Sequence, residues 1–250
     1  MALVLFIQGY VQEASERSQE SLELAEEIGG PVTLAQTWGM RAGLLLPQGE
    51  LGRLGPWLEK TRAHCAERNI GYWHTVCSLW SAWLDGRVGD PERGVARLQE
   101  QLAAYFASGS RLGVPHFYIL LADLCLASGD RSRALGALRA GQEQIEATGE
   151  RLAESELHMS LARALMTGDT PDPSAATVAY ERAAGVAKDQ AAKLLELRAL
   201  TYLTVHQRQI GEACTALARV ESLRRWFGPE SKAPDVVRAR ALVSSHATLR

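Results

Sequence analysis

The residues of this chain able to do chemistry are few and scattered. Its four cysteines, Cys65, Cys77, Cys125 and Cys214, stand singly. A zinc site needs ligand pairs at close spacing, so no metal site is expected, and isolated thiols fit a reducing compartment. His74, His116 and His158 recur 42 residues apart and invite acid–base chemistry. Nothing pairs them with a second ligand set, and His158 reads as a packed core residue. The stretch "LASGDRSRAL", Leu126 to Leu135, sets a glycine and an aspartate between two apolar runs. A phosphate loop requires Lys and Ser/Thr opening a helix after a strand. The chain has no Gly-Lys dipeptide and four lysines in all. The carboxylate pairs Glu26/Glu27 and Glu154/Glu156 fall on positions that read as exposed helix faces. No catalytic residue, metal or cofactor is therefore expected. The segment "GYWHTVCSLWSAWL", Gly71 to Leu84, holds three of the six tryptophans. It reads either as inter-helix core or as the aromatic lining of a ligand groove.

The elements that must position these residues follow a ruler. Gly9, Gly49, Gly89 and Gly129 stand 40 residues apart, and the next step reaches Asp169 beside Gly168. A series offset by 20 runs Gly29, Asn69, Gly109, Gly149 and Asp189, and a third runs Ala2, Ala42, Ala82, Ala122 and Ala162. Gly, Asn and Asp enter most cheaply the left-handed conformation that follows a helix, so each is expected to close one. Between them apolar residues recur three and four apart, as in Phe117, Leu120, Leu121 and Leu124, the pattern of an amphipathic helix. Asp90-Pro91 and Asp172-Pro173 supply caps and first-turn prolines, and Pro31 and Pro115 open helices too. The expected pairs are 31–46 with 54–68, 72–87 with 91–107, 115–128 with 131–147, 152–167 with 173–188, and 191–207 with 211–227. A half pair precedes them and a last helix near 234–248 follows.

A small residue on one helix, then Gly-Asp, then a small residue on the next resembles the tetratricopeptide repeat. The second small slot holds Ala14, Leu54, Gly94, Ala134 and Ala213, and the large slot holds Trp38, Ser78, Tyr118 and His158. Leu54, Ser78 and the 40-residue period depart from that family's pattern. The segments 114–166, 179–200 and 234–242 also resemble the C-terminal tetratricopeptide region of large bacterial signalling proteins. Those proteins carry a STAND-type ATPase, often with a nucleotide cyclase or a DNA-binding transcriptional domain.

The resemblance implies an all-α, tetratricopeptide-like right-handed α-solenoid, a single domain over 1–250, with about five and a half antiparallel helix pairs plus a C-terminal capping helix. It implies that first helices line a concave groove, at positions six and three before and one after each alanine. These are Gln36, Gly39 and Gly43; Val76, Leu79 and Trp83; His116, Ile119 and Asp123; Glu156, Met159 and Arg163; and, phased on Thr201, Leu195, Arg198 and Tyr202. The apolar stub Leu3 to Ile7 calls for a partner, which suggests a fragment of a longer chain or a self-association surface.

A formal net charge of −2 gives no global electrostatic case for nucleic acid or an anionic membrane, and the basic cluster from Arg219 to Arg240 reads as a solvated face. The opening residues have neither the basic leader nor the length of a signal peptide or a membrane span. The expectation is a cytoplasmic, non-enzymatic module binding a protein or peptide segment in its groove and regulating linked ATPase, cyclase or DNA-binding domains. The alternative is a small-molecule sensor with an aromatic-lined groove.

Overall fold

The protein is described here by a computed structural model covering residues 1–247. It contains thirteen helices and, among the described residues, no strand. The opening half pair is a short α1 (Ala2–Gln8) and a full α2 (Val11–Ile28). Four regular pairs follow: α3 (Pro31–Gln48) with α4 (Leu51–Arg68), α5 (Gly71–Val88) with α6 (Pro91–Ala107), α7 (Val114–Ala127) with α8 (Arg131–Thr148), and α9 (Glu154–Leu165) with α10 (Pro173–Asp189). The last pair is α11 (Lys193–Gln209) with α12 (Leu217–Arg224), and α13 (Pro234–Ala247) closes the described chain.

Local chemistry accounts for the ends. Asp90 accepts hydrogen bonds from the Glu92 and Arg93 amides, Asp130 from Arg133 and Asp172 from Ala175, satisfying first-turn donors that have no partner within the helix. Gly129 is left-handed, and "LASGDRSRAL" is a helix stop followed by a helix start. Three expectations about the stops need correction. Gly89 caps α5 at φ −131°, outside the left-handed region. The left-handed turns expected at Asp169 and Asp189 fall instead on Gly168 and Ala191, because α9 ends early and α10 continues through Asp189.

Small residues let the pairs close. Ala42, Ala82, Ala122 and Ala162 are buried, and a Cβ added to Gly94 would lie 2.6 Å from the Gly86 Cα, so α5 and α6 touch backbone to backbone there. In the last pair the register slips. Ala213, expected in the small slot, is exposed, and buried Ala216 takes its place. The helix expected from 211 begins only at Leu217, after a turn that the Gln207 side chain braces by bonding Thr215 Oγ1 and the Ala216 amide.

Each helix packs on the next, and successive first helices also meet: α1 with α3, α3 with α5, α5 with α7, α7 with α9, and α9 with α11. Successive second helices make no comparable contact among the described residues. The first helices thus form a tight inner row and the second helices an outer one, so the solenoid curls. It curls far enough that α1 packs on α11.

Candidate functional site

The inner row closes on itself. Phe6 of α1 and Leu44 of α3 are buried in the same apolar cluster as Leu194, Leu197 and Leu200 of α11, and Ile7 packs against Ala187, Ala192 and Leu195. The apolar stub thus has its partner within the same chain. At one edge of this seam Tyr10 meets Trp226 edge to face at 5.2 Å, and the Lys193 ammonium lies 4.5 Å from the centre of the Trp226 ring.

Arg198 ties the seam together. Its Nε and Nη2 donate to the two Asp235 oxygens at 3.0 and 2.8 Å, and Nη1 donates to Glu156 Oε1 at 3.1 Å. Nη2 also donates to the Pro47 carbonyl, 151 residues away in sequence, at 3.1 Å. One guanidinium thereby joins α3, α9, α11 and α13, and it sits on the last turn of α3, where the helix dipole favours a cation. Burial opposes its charge, but Asp235 and then Glu156 outweigh burial and hold its pKa above the ordinary value.

The inner face of the ring lines a half-open cavity of 490 Å³, walled by residues of every first helix together with α13. Most of the wall is apolar or aromatic, including Trp73, Trp80 and Trp83 of the tryptophan-rich segment, Phe117 and Tyr72. The polar groups are His116, Glu150, Glu156, Arg198, Tyr202, Asp235 and Arg238, with Gln48 at an edge. Burial disfavours the charged imidazolium of His116 and lowers its pKa, with Glu156 opposing the shift, so it is neutral at pH 7. A neutral imidazole offers one donor and one acceptor.

Of the residues predicted to line a groove, Trp83, His116, Glu156, Arg198 and Tyr202 meet at this cavity, as do Gly43, Val76 and Ile119. Asp123 and Arg163 form an adjoining cluster. Asp123 accepts from Trp83 Nε1 at 3.0 Å and Arg163 Nη2 at 3.1 Å and pairs with Arg87 Nε at 3.2 Å, fixing the indole from behind. Leu79 lies fully buried in the core between helices, and Met159 and Leu195 are likewise core residues. Gln36 is exposed and away from the cavity wall, and Gly39 packs under Trp73. Glu154, expected on an exposed face, is 5% exposed and bonded to Arg151. Sequence reasoning missed the walls supplied by α1 and α13, above all Asp235. The apolar stub pointed to a missing partner, but only closure of the ring shows which one.

Among the described residues no group of three or more His, Cys, Asp or Glu could hold a metal ion, and no helix is long and apolar enough to cross a membrane. No family model matches the chain, and the search of curated proteins finds no match. Among solved structures it is similar to a Signal Transduction ATPase with Numerous Domains (STAND) protein with a tetratricopeptide repeat sensor from Pyrococcus horikoshii. The TM-score is 0.57 at 13% identity, over 97% of this chain and 40% of that one. The chain thus spans less than half the length of that protein, and the likeness establishes the fold: an all-α solenoid of the tetratricopeptide type.

Proposed function

We propose that this chain is a non-catalytic sensor module that takes a small organic molecule into the centre of its ring. The observation that carries this reading is the closure of the inner row by the α1–α11 seam and Arg198, which narrows a concave groove into a half-open cavity. An apolar cavity of 150 Å³ accepts benzene, so 490 Å³ accommodates roughly 20 non-hydrogen atoms, the scale of a metabolite rather than an extended peptide. Ligand contacts with several first helices at once would favour the closed ring over any opened form, and that difference is what a linked domain would read. The tetratricopeptide resemblance extends the proposal to the setting: a cytoplasmic regulatory region coupled to an ATPase, a nucleotide cyclase or a transcriptional domain.

A second reading, a protein or peptide interaction module, is favoured by an adjoining outer groove beside Tyr10 and Trp226, both of which are 40% exposed or more. The two readings separate in one screen. Metabolites and peptides are each titrated against the whole chain, with tryptophan emission and thermal midpoint as readouts. A metabolite-sized ligand is expected to shift both, since three of the six tryptophans wall the cavity. Ligand at about 100 times its Kd stabilises by about 2.7 kcal/mol. Response to peptides alone would overturn the cavity reading.

A further inference from the structure

The charges around the cavity are unbalanced. Three carboxylates, Glu150, Glu156 and Asp235, face it against two guanidinium groups, Arg198 and Arg238. His116 is kept neutral by its burial and adds no positive charge. The carboxylates are not equally committed. Both Glu150 oxygens lie 3.0 Å from the Gly113 amide, and both Asp235 oxygens are held by Arg198. Glu156 gives Oε1 to Arg198 and has no hydrogen bond to Oε2 among the described residues. Its side chain is 28% exposed against 8% for Asp235, so its uncommitted oxygen is the accessible one. Arg238 bonds the Tyr202 hydroxyl at 2.8 Å, lies over that ring and forms no ion pair with Glu156 among the described residues.

The remaining wall is aromatic. Trp73, Trp80 and Trp83, with Tyr72 and Phe117, present π-systems that attract cations and provide apolar area for a ligand body. An anion entering here meets an excess of negative charge between largely apolar walls. A neutral molecule without a donor leaves Glu156 Oε2 without a hydrogen bond once water is expelled, which is unfavourable. A cation satisfies both walls together.

We propose, building on the cavity reading, that the ligand is a monocation with an apolar body: a protonated amine or quaternary ammonium compound whose charged head pairs with Glu156 against the tryptophan wall.

The test uses the whole chain and three probes of one size: benzyltrimethylammonium, benzyl alcohol and phenylacetate, each followed by calorimetry and tryptophan emission. The cation is expected to bind at least about tenfold more tightly than either of the others. Glu156→Gln keeps an acceptor for Arg198 and is expected to weaken the cation by about tenfold or more, narrowing or abolishing its advantage over benzyl alcohol. Equal or tighter binding of phenylacetate or benzyl alcohol to the unmodified chain overturns the charge assignment and leaves the cavity reading standing. Silence with all three probes overturns the assignment too. If the metabolite screen is also silent, the cavity reading falls with it. The comparison of probes on the unmodified chain keeps the test decisive even where Glu156→Gln folds poorly.

Discussion

Replacing Arg198 by methionine removes the one side chain that bonds α3, α9 and α13 from α11. Methionine preserves much of the buried stem, so the loss is electrostatic rather than a cavity. Asp235, 8% exposed, loses both partners, Glu156 loses its bond to Oε1, and the Pro47 carbonyl at the end of α3 is left bare. Leaving one member of a buried ion pair uncompensated costs about 3–5 kcal/mol. The change is measured by urea unfolding followed by far-ultraviolet circular dichroism and tryptophan emission in parallel. Because solenoids are held by neighbour contacts, the seam is what couples the first repeats to the last. The intact chain is expected to unfold with coincident transitions, and Arg198→Met to separate them as well as lower the midpoint. Arg198→Met with Asp235→Leu is expected to recover most of the loss, since an apolar replacement of both partners removes the unpaired charge. A midpoint shift equivalent to less than about 1 kcal/mol, the range of an exposed ion pair, would refute the role given to Arg198.

Three further outcomes follow from packing, capping and titration. His158 is 4% exposed with neither ring nitrogen hydrogen-bonded, and Glu154 Oε1 is 4.0 Å away; burial first, then Arg182, lowers its pKa to about 4, against the pull of Glu154. The unfolded chain takes up this proton near pH 6.5 and the folded chain only near pH 4. Stability is therefore complete above pH 6.5 and lost on acidification through that window, by about 3 kcal/mol. His158→Phe should remove this component of the acid dependence in pH-resolved thermal unfolding, and should stabilise the protein at neutral pH because it removes a buried polar group without partners. Gly94→Ala should destabilise by about 1–3 kcal/mol in urea titration, since its Cβ meets the Gly86 backbone, whereas Gly136→Ala in α8, with nothing within 4 Å, should stabilise by up to about 1 kcal/mol. Asp130→Ala should cost about 1 kcal/mol through loss of the α8 cap, read the same way.

The helical beat was legible because each stop and start is a local event, chosen by φ at a glycine or by an aspartate cap. It failed where tertiary packing outweighed that local code: at Gly89, at Asp189, and in the last pair, where the Gln207 brace replaces a helical turn. Of the groove positions implied by the tetratricopeptide resemblance, Trp83, His116, Glu156, Arg198 and Tyr202 line the cavity. The resemblance placed Leu79, Met159 and Leu195 wrongly in the groove; each is buried in an apolar cluster between helices. Closure was not legible at all. It depends on how curvature adds over successive pairs, and its partners, Pro47 with Arg198 and Ile7 with Leu195, share no pattern along the chain.

The most direct test of a binding site within the ring is calorimetric titration of the best ligand from the screen into the intact chain and into Val76→Phe, which adds volume at a buried wall position. One molecule per chain is expected, with binding lost in Val76→Phe and unchanged in Glu13→Arg at the outer groove. Binding that survives the plug, or that disappears in Glu13→Arg, would place the site outside the ring and refute a ligand site among the first helices.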